Sequence, residues 1–328
     1  MVRQVAIAGM LRCSKSIGAS RPARGTRTRV QPLPTPGALV TSSNNGRVGP
    51  VTRALCPQRA ERCSCAAALG TSATLCVLES AVQHTADLRI GTAGWSIPGP
   101  ERAWFPTEGS HLERYAQRLR ATEINSSFYR SHKPQTYARW AASVPADFRF
   151  AVKLPREITH KRKLVAIAEP LEQFLEEVQH LSDKLGPLLV QLPPSLAFDE
   201  EVAFSFFAAL RARFAGSVVC EPRHPTWFSP AAAKALIDAR IARVAADPTL
   251  SPEAKIPGGW NGLTYRRWHG SPVTYSSAYS GSDLDRFAFD LHESMRGGGP
   301  HWCIFDNTAR GEAAGNAREL CIRMLEKS

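Results

Sequence analysis

The first 85 residues contain no phenylalanine, tyrosine or tryptophan, although the whole chain of 328 residues has 14, 6 and 7 of them. The same stretch has two acidic residues, Glu61 and Glu79, against eleven arginines and lysines. Without aromatics and with this excess charge, it cannot bury enough apolar surface to offset the entropy lost on folding. We therefore predict that residues 1–85 are a disordered basic extension and that residues 86–328 form a folded domain.

The extension allows two interpretations. An arginine-rich segment with almost no acidic residues is typical of an organellar transit peptide, which applies if the source is eukaryotic. A reading frame extended beyond the true start is the alternative, and a later start would need a codon other than Met, since none occurs between Met10 and Met295. The five cysteines of the extension lack the C-x₂-C spacing of a zinc site, so we interpret them as incidental thiols.

The domain has little net charge, few cysteines and no long apolar run. Residues 86–328 contain 30 basic and 27 acidic residues, and so carry +3 of the formal net charge of +12. That balance does not favour nucleic acid as a partner, because nonspecific binding depends on many phosphate contacts. Three cysteines indicate a reducing compartment, and no window approaches 18 uncharged apolar residues. We expect a cytoplasmic protein without a membrane partner.

Motifs of several common enzyme classes are also absent. The segment 91–94 lacks the G-x-G-x-x-G spacing of a dinucleotide site, and no G-x-S-x-G or P-loop sequence occurs. These absences argue against a nucleotide cofactor, an α/β-hydrolase and an NTPase. No H-E-x-x-H or other ligand-spaced pair is present, so a metal is not favoured, although His and carboxylates from several strands could converge on one ion. The cofactor is left unassigned.

From residue 88 onward, short apolar runs alternate with amphipathic stretches of helical periodicity. The apolar runs span residues 88–93, 122–129, 148–153, 187–192, 217–221, 241–246, 263–269 and 302–305. The predicted helices span residues 111–120, 134–142, 171–185, 200–214, 230–239, 283–295 and 312–325. Eight strand–helix units in about 240 residues match a TIM-type (β/α)₈ barrel. A doubly wound open sheet is the alternative, but it usually has a glycine-rich loop after its first strand.

In such a barrel the carboxyl ends of all strands open onto one mouth, where functional side chains lie. The run 217–221 ends at Glu221, and Arg223 and His224 follow it in extended backbone set by two prolines. The strand ends together carry Trp95, Asn125, Tyr129, Lys153, Gln191, Glu221, Arg223, His224, Asp247, Arg267, His269, Asp306 and Asn307. Unpaired buried charge is costly, so we interpret this set as a functional site.

The side chains at the mouth predict acid–base chemistry with cationic anchoring. Glu221 or Asp247 is the candidate general base, and His224 or His269 is the candidate acid. Lys153 and Arg223, together with His224, are predicted to bind a phosphate or carboxylate.

The remaining residues of the mouth are predicted to bind substrate: Asn125, Gln191, Arg267, Asp306 and Asn307. Asn125 and Gln191 have an alternative role, which is to satisfy backbone groups between neighbouring strands. Trp95, Tyr129 and Trp227 are predicted to stack on a base or sugar ring. For these aromatics, and for Trp227 above all, the alternative is a place in the barrel core.

Seven segments of the domain form an ordered set of motifs. They are residues 91–95, 123–129, 148–153, 191–194, 221–227 and 267–270, and residues 305–308 with the following Gly311, Ala313, Asn316 and Ala317. Together they resemble the YecE-like family, also called domain of unknown function 72, over about residues 88 to 325. The resemblance implies a TIM-type barrel but no established reaction. Ala93, Trp268 and Asp306 stand where that family commonly has Ser, Leu and Asn, and Asp306 makes the mouth more acidic.

Three functions remain open on these residues. The first is an enzyme that acts on an anionic substrate, such as a phosphate ester, by acid–base chemistry. The second is a metal-dependent nuclease-like or repair barrel, which rests on analogy of fold alone. The third is a binding module that holds a metabolite at the mouth without turnover. The oligomeric state is left unassigned.

Overall fold

The computed structural model describes residues 88–249 and 251–326. The predicted basic extension, residues 1–85, lies outside the described residues. Within them the chain forms a TIM-type barrel, and so the predicted fold is confirmed. No helix in this part of the chain is both long and apolar enough to cross a membrane.

Ten strand segments form one sheet that closes on itself. They are β1 (Leu88–Ala93), β2 (Ala121–Ile124), β3 (Arg149–Lys153), β4 (Leu185–Gln191), β5 (Val218–Glu221), β6 (Ala242–Arg243), β7 (Ala245–Asp247), β8 (Gly258–Gly259), β9 (Thr264–Trp268) and β10 (His301–Phe305). Only Val244 separates β6 from β7, which pair in parallel with β5 and β9 respectively. The barrel therefore closes through residues 242–247 with eight parallel strand positions, and β8 is an antiparallel addition to β6.

Helices connect the strands on the outside of the barrel. They are α1 (His111–Ala116), α2 (Ser126–Tyr129), α3 (Pro134–Ala142), α4 (Ala168–Val178), α5 (Glu200–Arg213), α6 (Pro230–Asp238), α7 (Gly281–Met295) and α8 (Glu312–Glu326). The start of α6 is as predicted. Ser229 accepts a hydrogen bond from the backbone N–H of Ala232 at 3.2 Å, and Pro230 takes the first helical position, where its missing N–H costs nothing.

Three predicted elements were too long, and one of them is the helix predicted over residues 111–120, which is α1 and ends at Ala116. The run 122–129 was interpreted as one alternating strand, but β2 ends at Ile124 and residues 126–129 form the short helix α2. The helix predicted over residues 171–185 is α4, which begins earlier, at Ala168, and ends at Val178, followed by a 3₁₀ turn, Gln179–Lys184. For β2 and α4 the apolar pattern continues past the end of the element, so periodicity alone does not show where the element ends.

Alternate residues of each strand face opposite sides of the barrel wall and so build two apolar cores. The outer core lies between the wall and the helices, and β3 contributes Phe150 and Val152 to it. The inner core fills the barrel with Ala121, Ala151, Leu189, Val219, Ala242, Val244, Leu263, Tyr265, Trp302 and Ile304. Two residues further along six of these strands, the inward positions are Glu123, Lys153, Gln191, Glu221, Arg267 and Asp306, which we call the charged layer.

Candidate active site at the mouth of the barrel

Arg267 lies at the centre of the charged layer, where its guanidinium binds three carboxylates. Its Nε and Nη2 donate to the two oxygens of Glu123 at 3.0 and 2.7 Å. Its Nη1 donates to Glu221 at 2.5 Å, and its Nη2 also donates to Asp306 at 2.8 Å. The side chains of Arg267 and Glu123 have no solvent exposure. One buried cation is therefore shared by three carboxylates, which keeps each of them paired.

Glu221 joins this buried cluster to the mouth above it. Its Oε1 accepts hydrogen bonds from Gln191 at 3.1 Å and from Arg223 at 2.9 Å. The side chain of Glu221 is 1% exposed, whereas that of Arg223 is 29% exposed. The carboxylate is covered, and the guanidinium above it reaches solvent. A ligand that enters the mouth therefore meets positive charge first.

His269 lies between two of these carboxylates. Its Nδ1 is 3.1 Å from Asp306 Oδ2, and its Nε2 is 3.3 Å from Glu221 Oε1 without the alignment of a hydrogen bond. Burial of the ring opposes protonation, but the charge of Glu221 and the hydrogen bond with Asp306 outweigh it and raise the pKa of His269. This shift favours the imidazolium, which can donate a proton to a bound ligand.

Glu221 and Asp306 stay ionised in this setting. Burial opposes their ionisation, but Arg267 outweighs it, aided by Arg223 and His269 at Glu221 and by His269 at Asp306. The pKa of Asp306 is lowered and that of Glu221 lies well below its usual range. A carboxylate of such low pKa is a weak base near neutrality. These surroundings do not favour the predicted role of Glu221 as general base and give it a positioning role toward Arg223 and His269.

Lys153 ends β3 and is 8% exposed. Its Nζ lies 4.2 Å from the centroid of the Phe128 ring and forms no hydrogen bond or ion pair with the residues that the structure describes. Burial, reinforced by the nearby charge of Arg267, lowers the pKa of Lys153 to about 8, although the three carboxylates oppose this. Burial and the charge of Lys153 together lower the pKa of His160 to about 4. The Lys153 amine is thus buried, cationic at neutral pH and close to losing its proton.

A pocket of about 280 Å³ opens over Glu221, Arg223 and His269. The other lining residues are Pro194, Pro222, Pro225, Phe228, Ala246, Pro248, Thr249, Ser251 and Thr274. Mostly apolar walls around a few charged groups are typical of a ligand site, and this volume suits a small molecule. A larger cavity of about 790 Å³ lies between α5 and α6, but no residue of the charged layer lines it. We therefore take the smaller pocket as the candidate site.

Asp247, the other predicted general base, lies on the opposite face of its strand from Ala246, which lines the pocket. Its Oδ1 accepts a hydrogen bond from Tyr279 at 3.1 Å, and its Oδ2 lies 3.9 Å from Lys255 Nζ. These contacts hold the loop after β7. The structure therefore does not bring Asp247 into the pocket, because the strand alternation turns its side chain outward.

His224, the other predicted acid, is engaged in a local turn. Its Nδ1 accepts a hydrogen bond from the backbone N–H of Thr226 at 3.3 Å and lies 2.9 Å from the Thr226 hydroxyl. This contact caps the 3₁₀ turn Pro225–Phe228. Among the described residues, the imidazole forms no hydrogen bond or ion pair with the charged layer. The structure therefore supports a capping role for His224 rather than that of an acid or anion ligand.

The three aromatic residues predicted to stack on substrate do not meet at the pocket. Trp227 is 1% exposed, and its indole donates to the carbonyl of Leu196 at 3.0 Å within the outer core. Trp95 packs edge-on against Trp140 of α3. Tyr129 is 77% exposed because it belongs to α2 rather than to a strand. For Trp227 and Trp95, core packing therefore replaces the predicted contact with substrate.

The two asparagines each have a buried Oδ1 that accepts no hydrogen bond from the described residues, but their side-chain amides donate to different partners. Asn125 donates to Asp306 at 3.4 Å, while its own Oδ1 is buried and accepts no hydrogen bond from the described residues. Asn307 donates to the Ser277 carbonyl at 2.9 Å and to Asn316 at 2.8 Å. Asn125 thus lies at the mouth with a free acceptor. Asn307 instead holds the segment after β9 in place, and its predicted contact with substrate has no support here.

Two residues of the site were missed at the sequence level. Glu123 follows the same inward alternation as Asn125, so a buried carboxylate inside a strand was a usable signal. Tyr275 lies in a loop without periodicity, and no sequence signal marked it. Its ring stands edge-on to His269 with centroids 5.4 Å apart, and its hydroxyl reaches Arg223. Tyr275 therefore covers the two groups that face a ligand.

The carboxylates of the charged layer are committed to a side-chain cation. Glu123, Glu221 and Asp306 each bind Arg267, which occupies the place between them. Over residues 88–249 and 251–326, no group of three or more His, Cys, Asp or Glu side chains is arranged to hold a metal ion. The donor set thus fits a guanidinium better than a metal.

The sequence matches the model of one family, protein of unknown function DUF72, over residues 89–328. The chain is similar to the UPF0759 protein YecE of Escherichia coli K12, with 31% identity over 43% of this chain and 50% of YecE. It is also similar to the UPF0759 protein YunF of Bacillus subtilis, with 24% identity over 70% of this chain and 92% of YunF. The matched part spans about half the length of YecE.

Two solved structures share the fold. A DUF72 family protein from Thermotoga maritima superposes with a TM-score of 0.62 and 24% identity, over 73% of this chain and 99% of its own. A DUF72 family protein from Enterococcus faecalis also gives a TM-score of 0.62, with 21% identity over 72% of this chain and 95% of its own. At these identities the likeness supports the barrel fold, and no reaction follows from it.

Proposed function

We propose that this chain, which belongs to the family described as protein of unknown function DUF72, is an enzyme acting on a small anionic substrate. The substrate carries a phosphate or carboxylate group and binds in the 280 Å³ pocket at the mouth. The reaction uses proton transfer at that mouth. One observation supports this proposal above the others: Arg223, the charged side chain that reaches solvent above the buried carboxylates, is a cation.

Arg223 is the residue that would bind the anion. Its guanidinium lines the pocket and is fixed from below by Glu221, through Nε and Nη2 at 2.9 Å each. A guanidinium held in this way keeps donors free for a phosphate or carboxylate and loses little side-chain entropy on binding. The apolar walls exclude water around it, which strengthens the attraction.

His269 is the residue that would donate the proton. It lines the same pocket as Arg223, and the charge of Glu221 and the hydrogen bond with Asp306 raise its pKa despite burial of the ring. Asp306 fixes the ring through Nδ1, so Nε2 is the nitrogen left on the pocket side with Glu221. The arrangement places a proton donor beside an anion anchor, which is the minimum for protonating a leaving group or an enolate oxygen.

The test is turnover by the full chain of a panel of phosphate esters and carboxylates, followed by mass spectrometry of the products. We expect His269→Gln to lower kcat by about 10²–10⁴-fold, because positioned acid–base groups contribute that much. Arg223→Ala should act mainly on KM. His180→Gln is the matched control, since His180 is exposed and its Nδ1 contacts only the Glu176 carbonyl.

Other outcomes would favour the other two functions. Saturable binding in the pocket without turnover of any compound would favour a metabolite-binding module. Cleavage of nucleic acid that depends on an added divalent metal would favour the nuclease-like barrel. That second alternative has less support, because the carboxylates that would bind the metal are paired with Arg267.

A further inference from the structure

Lys153 is a buried amine that the proposed proton transfer does not use. Its residue is 8% exposed, and no hydrogen bond or ion pair from the described residues holds its Nζ. Buried polar groups usually have a hydrogen-bond partner. The Nζ of Lys153 is not among the fully buried polar atoms that lack one, so the amine keeps some contact with solvent and is accessible to a ligand.

Lys184 shows what a structural lysine of equal burial looks like in the same molecule. It is also 8% exposed, but its Nζ donates to the Ala146 carbonyl at 2.8 Å and to Asp183 at 3.0 Å. Two acceptors thus bind the Lys184 amine. Among the described residues the Lys153 amine has no such acceptor; it lies 4.2 Å from the centroid of the Phe128 ring, which attracts an ammonium without accepting a conventional hydrogen bond.

The position of Lys153 also differs from that of Lys184. Lys153 is the last residue of β3 and belongs to the charged layer, of which Glu221 lines the pocket. Its charge interacts with Glu221 and Asp306, the two carboxylates that flank His269. The amine and the proton donor therefore share the same two neighbours.

We propose that Lys153 is a nucleophile that forms an imine with a carbonyl substrate, and that the substrate is an aldehyde or ketone bearing the anionic group bound by Arg223. This rests on the proposed function for the anionic part. A lysine desolvated by its surroundings and beside another cation is suited to attack carbonyl carbon, because more of it is the neutral amine. The pKa of about 8 agrees with this geometry.

The step balances without a further reactant. The lone pair of Lys153 Nζ attacks the carbonyl carbon and forms a C–N bond as the C=O π bond breaks. The oxygen takes one proton and Nζ gives one up, which yields a carbinolamine. An acid at the mouth then protonates the hydroxyl, the C–O bond breaks to release water, the C=N bond forms, and Nζ returns its second proton to that acid's conjugate base. Amine plus carbonyl thus gives imine plus water, and His269 is the acid placed for the dehydration.

The experiment traps the imine on the full chain with borohydride, using glyoxylate as an anionic aldehyde and acetaldehyde as a neutral one. Peptide mass mapping locates the resulting secondary amines. We expect Lys153 to be modified at least about tenfold faster than Lys184 at pH 8, since an amine of pKa about 8 has about a hundredfold more neutral form there than an ordinary lysine. The rate at Lys153 should rise through pH 8.

Three variants separate the two proposals. Lys153→Arg keeps the charge and should lose the adduct while it still binds anions, and Lys184→Arg should leave the Lys153 adduct unchanged. Arg223→Ala should reduce modification by glyoxylate but not by acetaldehyde. Modification of Lys153 no faster than of Lys184 would overturn the imine, whatever Arg223 does. Fast modification of Lys153 by both aldehydes in Arg223→Ala would instead overturn the anionic part and leave the nucleophile standing.

Discussion

Two layers of side chains fill the same barrel, two residues apart on each strand. The lower layer is Ala121, Ala151, Leu189, Val219, Tyr265 and Ile304, and the upper, charged layer is Glu123, Lys153, Gln191, Glu221, Arg267 and Asp306. Every one of these side chains is buried, and the same alternation of each strand aims both at the barrel axis. Burial and direction are therefore shared, and only the chemistry differs.

The difference shows what each layer contributes. The lower layer gains free energy mainly from removing apolar surface from water, and its one hydroxyl, that of Tyr265, donates to Glu123 of the charged layer at 2.9 Å. The upper layer buries charge, which is costly unless it is paired, and Arg267 pairs with three carboxylates at once. Apolar residues of similar volume would often be as stable or more so. A layer that keeps charge under these conditions, at the open end of the barrel, indicates a binding or catalytic role.

Replacing Arg267 should have the largest effect on stability. Arg267→Met keeps an unbranched apolar stem but removes the guanidinium, which leaves three carboxylates without their shared cation. We expect the free energy of unfolding to fall by about 3–5 kcal/mol, the usual cost of removing one partner of a buried ion pair. Denaturant unfolding followed by circular dichroism measures this. A loss below about 1 kcal/mol would show that the carboxylates do not depend on Arg267.

The pH dependence of stability should separate His269 from the carboxylates. The pKa of His269 is raised on folding, so its contribution is complete below about pH 6.5 and is lost as the pH rises through the folded value. The pKa values of Glu221 and Asp306 are lowered, so their contribution is present above about pH 4.3 and is lost as the pH falls.

We therefore expect the wild-type chain to lose stability as the pH rises above about 6.5, relative to His269→Gln, which lacks the titrating ring. Urea unfolding at several pH values in this range measures the difference between the two proteins, which removes the contribution of other groups. Parallel curves would contradict the paired state of His269. The loss on the acid side should remain in His269→Gln, because Arg267 still pairs with both carboxylates.

A change in the lower layer should have the smallest effect. Ile304 lies two residues before Asp306 on β10 and belongs to the inner apolar core. Ile304→Val removes one methyl group and should lower the free energy of unfolding by about 0.5–1.5 kcal/mol. Its pH profile should match that of the wild type, because no charge changes. A shifted profile would show that the two layers are coupled rather than separate.

The barrel was predictable from the sequence because its signals are local and repeated. The sequence has eight apolar runs, and this repeated pattern can still be recognised when the ends of single elements are misplaced by a few residues. The boundaries of β2 and α4 were not predictable in this way, because residues 126–129 and 179–184 continue the pattern through a turn.

The membership of the site was predictable only in part. Lys153, Gln191, Glu221, Arg267 and Asp306 come together because each ends a strand on its inward face. The side chains of other strand-end residues, such as Asp247 and His224, point away from the site. Whether a side chain faces the barrel axis depends on the alternation along its strand and on local caps, and a change of one residue reverses it. A single sequence shows where a strand ends more clearly than which way its last residue points.

Anion binding at the mouth of the barrel can be measured by native mass spectrometry of the gently purified full chain titrated with inorganic phosphate. We predict saturable binding of one phosphate, weakened about tenfold or more in Arg223→Ala, because a hydrogen bond to a charged group contributes about 1.5–3 kcal/mol. Arg296→Ala, which removes the same charge from a side chain 76% exposed on the surface, should bind as the wild type does. Equal binding by the wild type and Arg223→Ala would contradict an anion site at the mouth of the barrel.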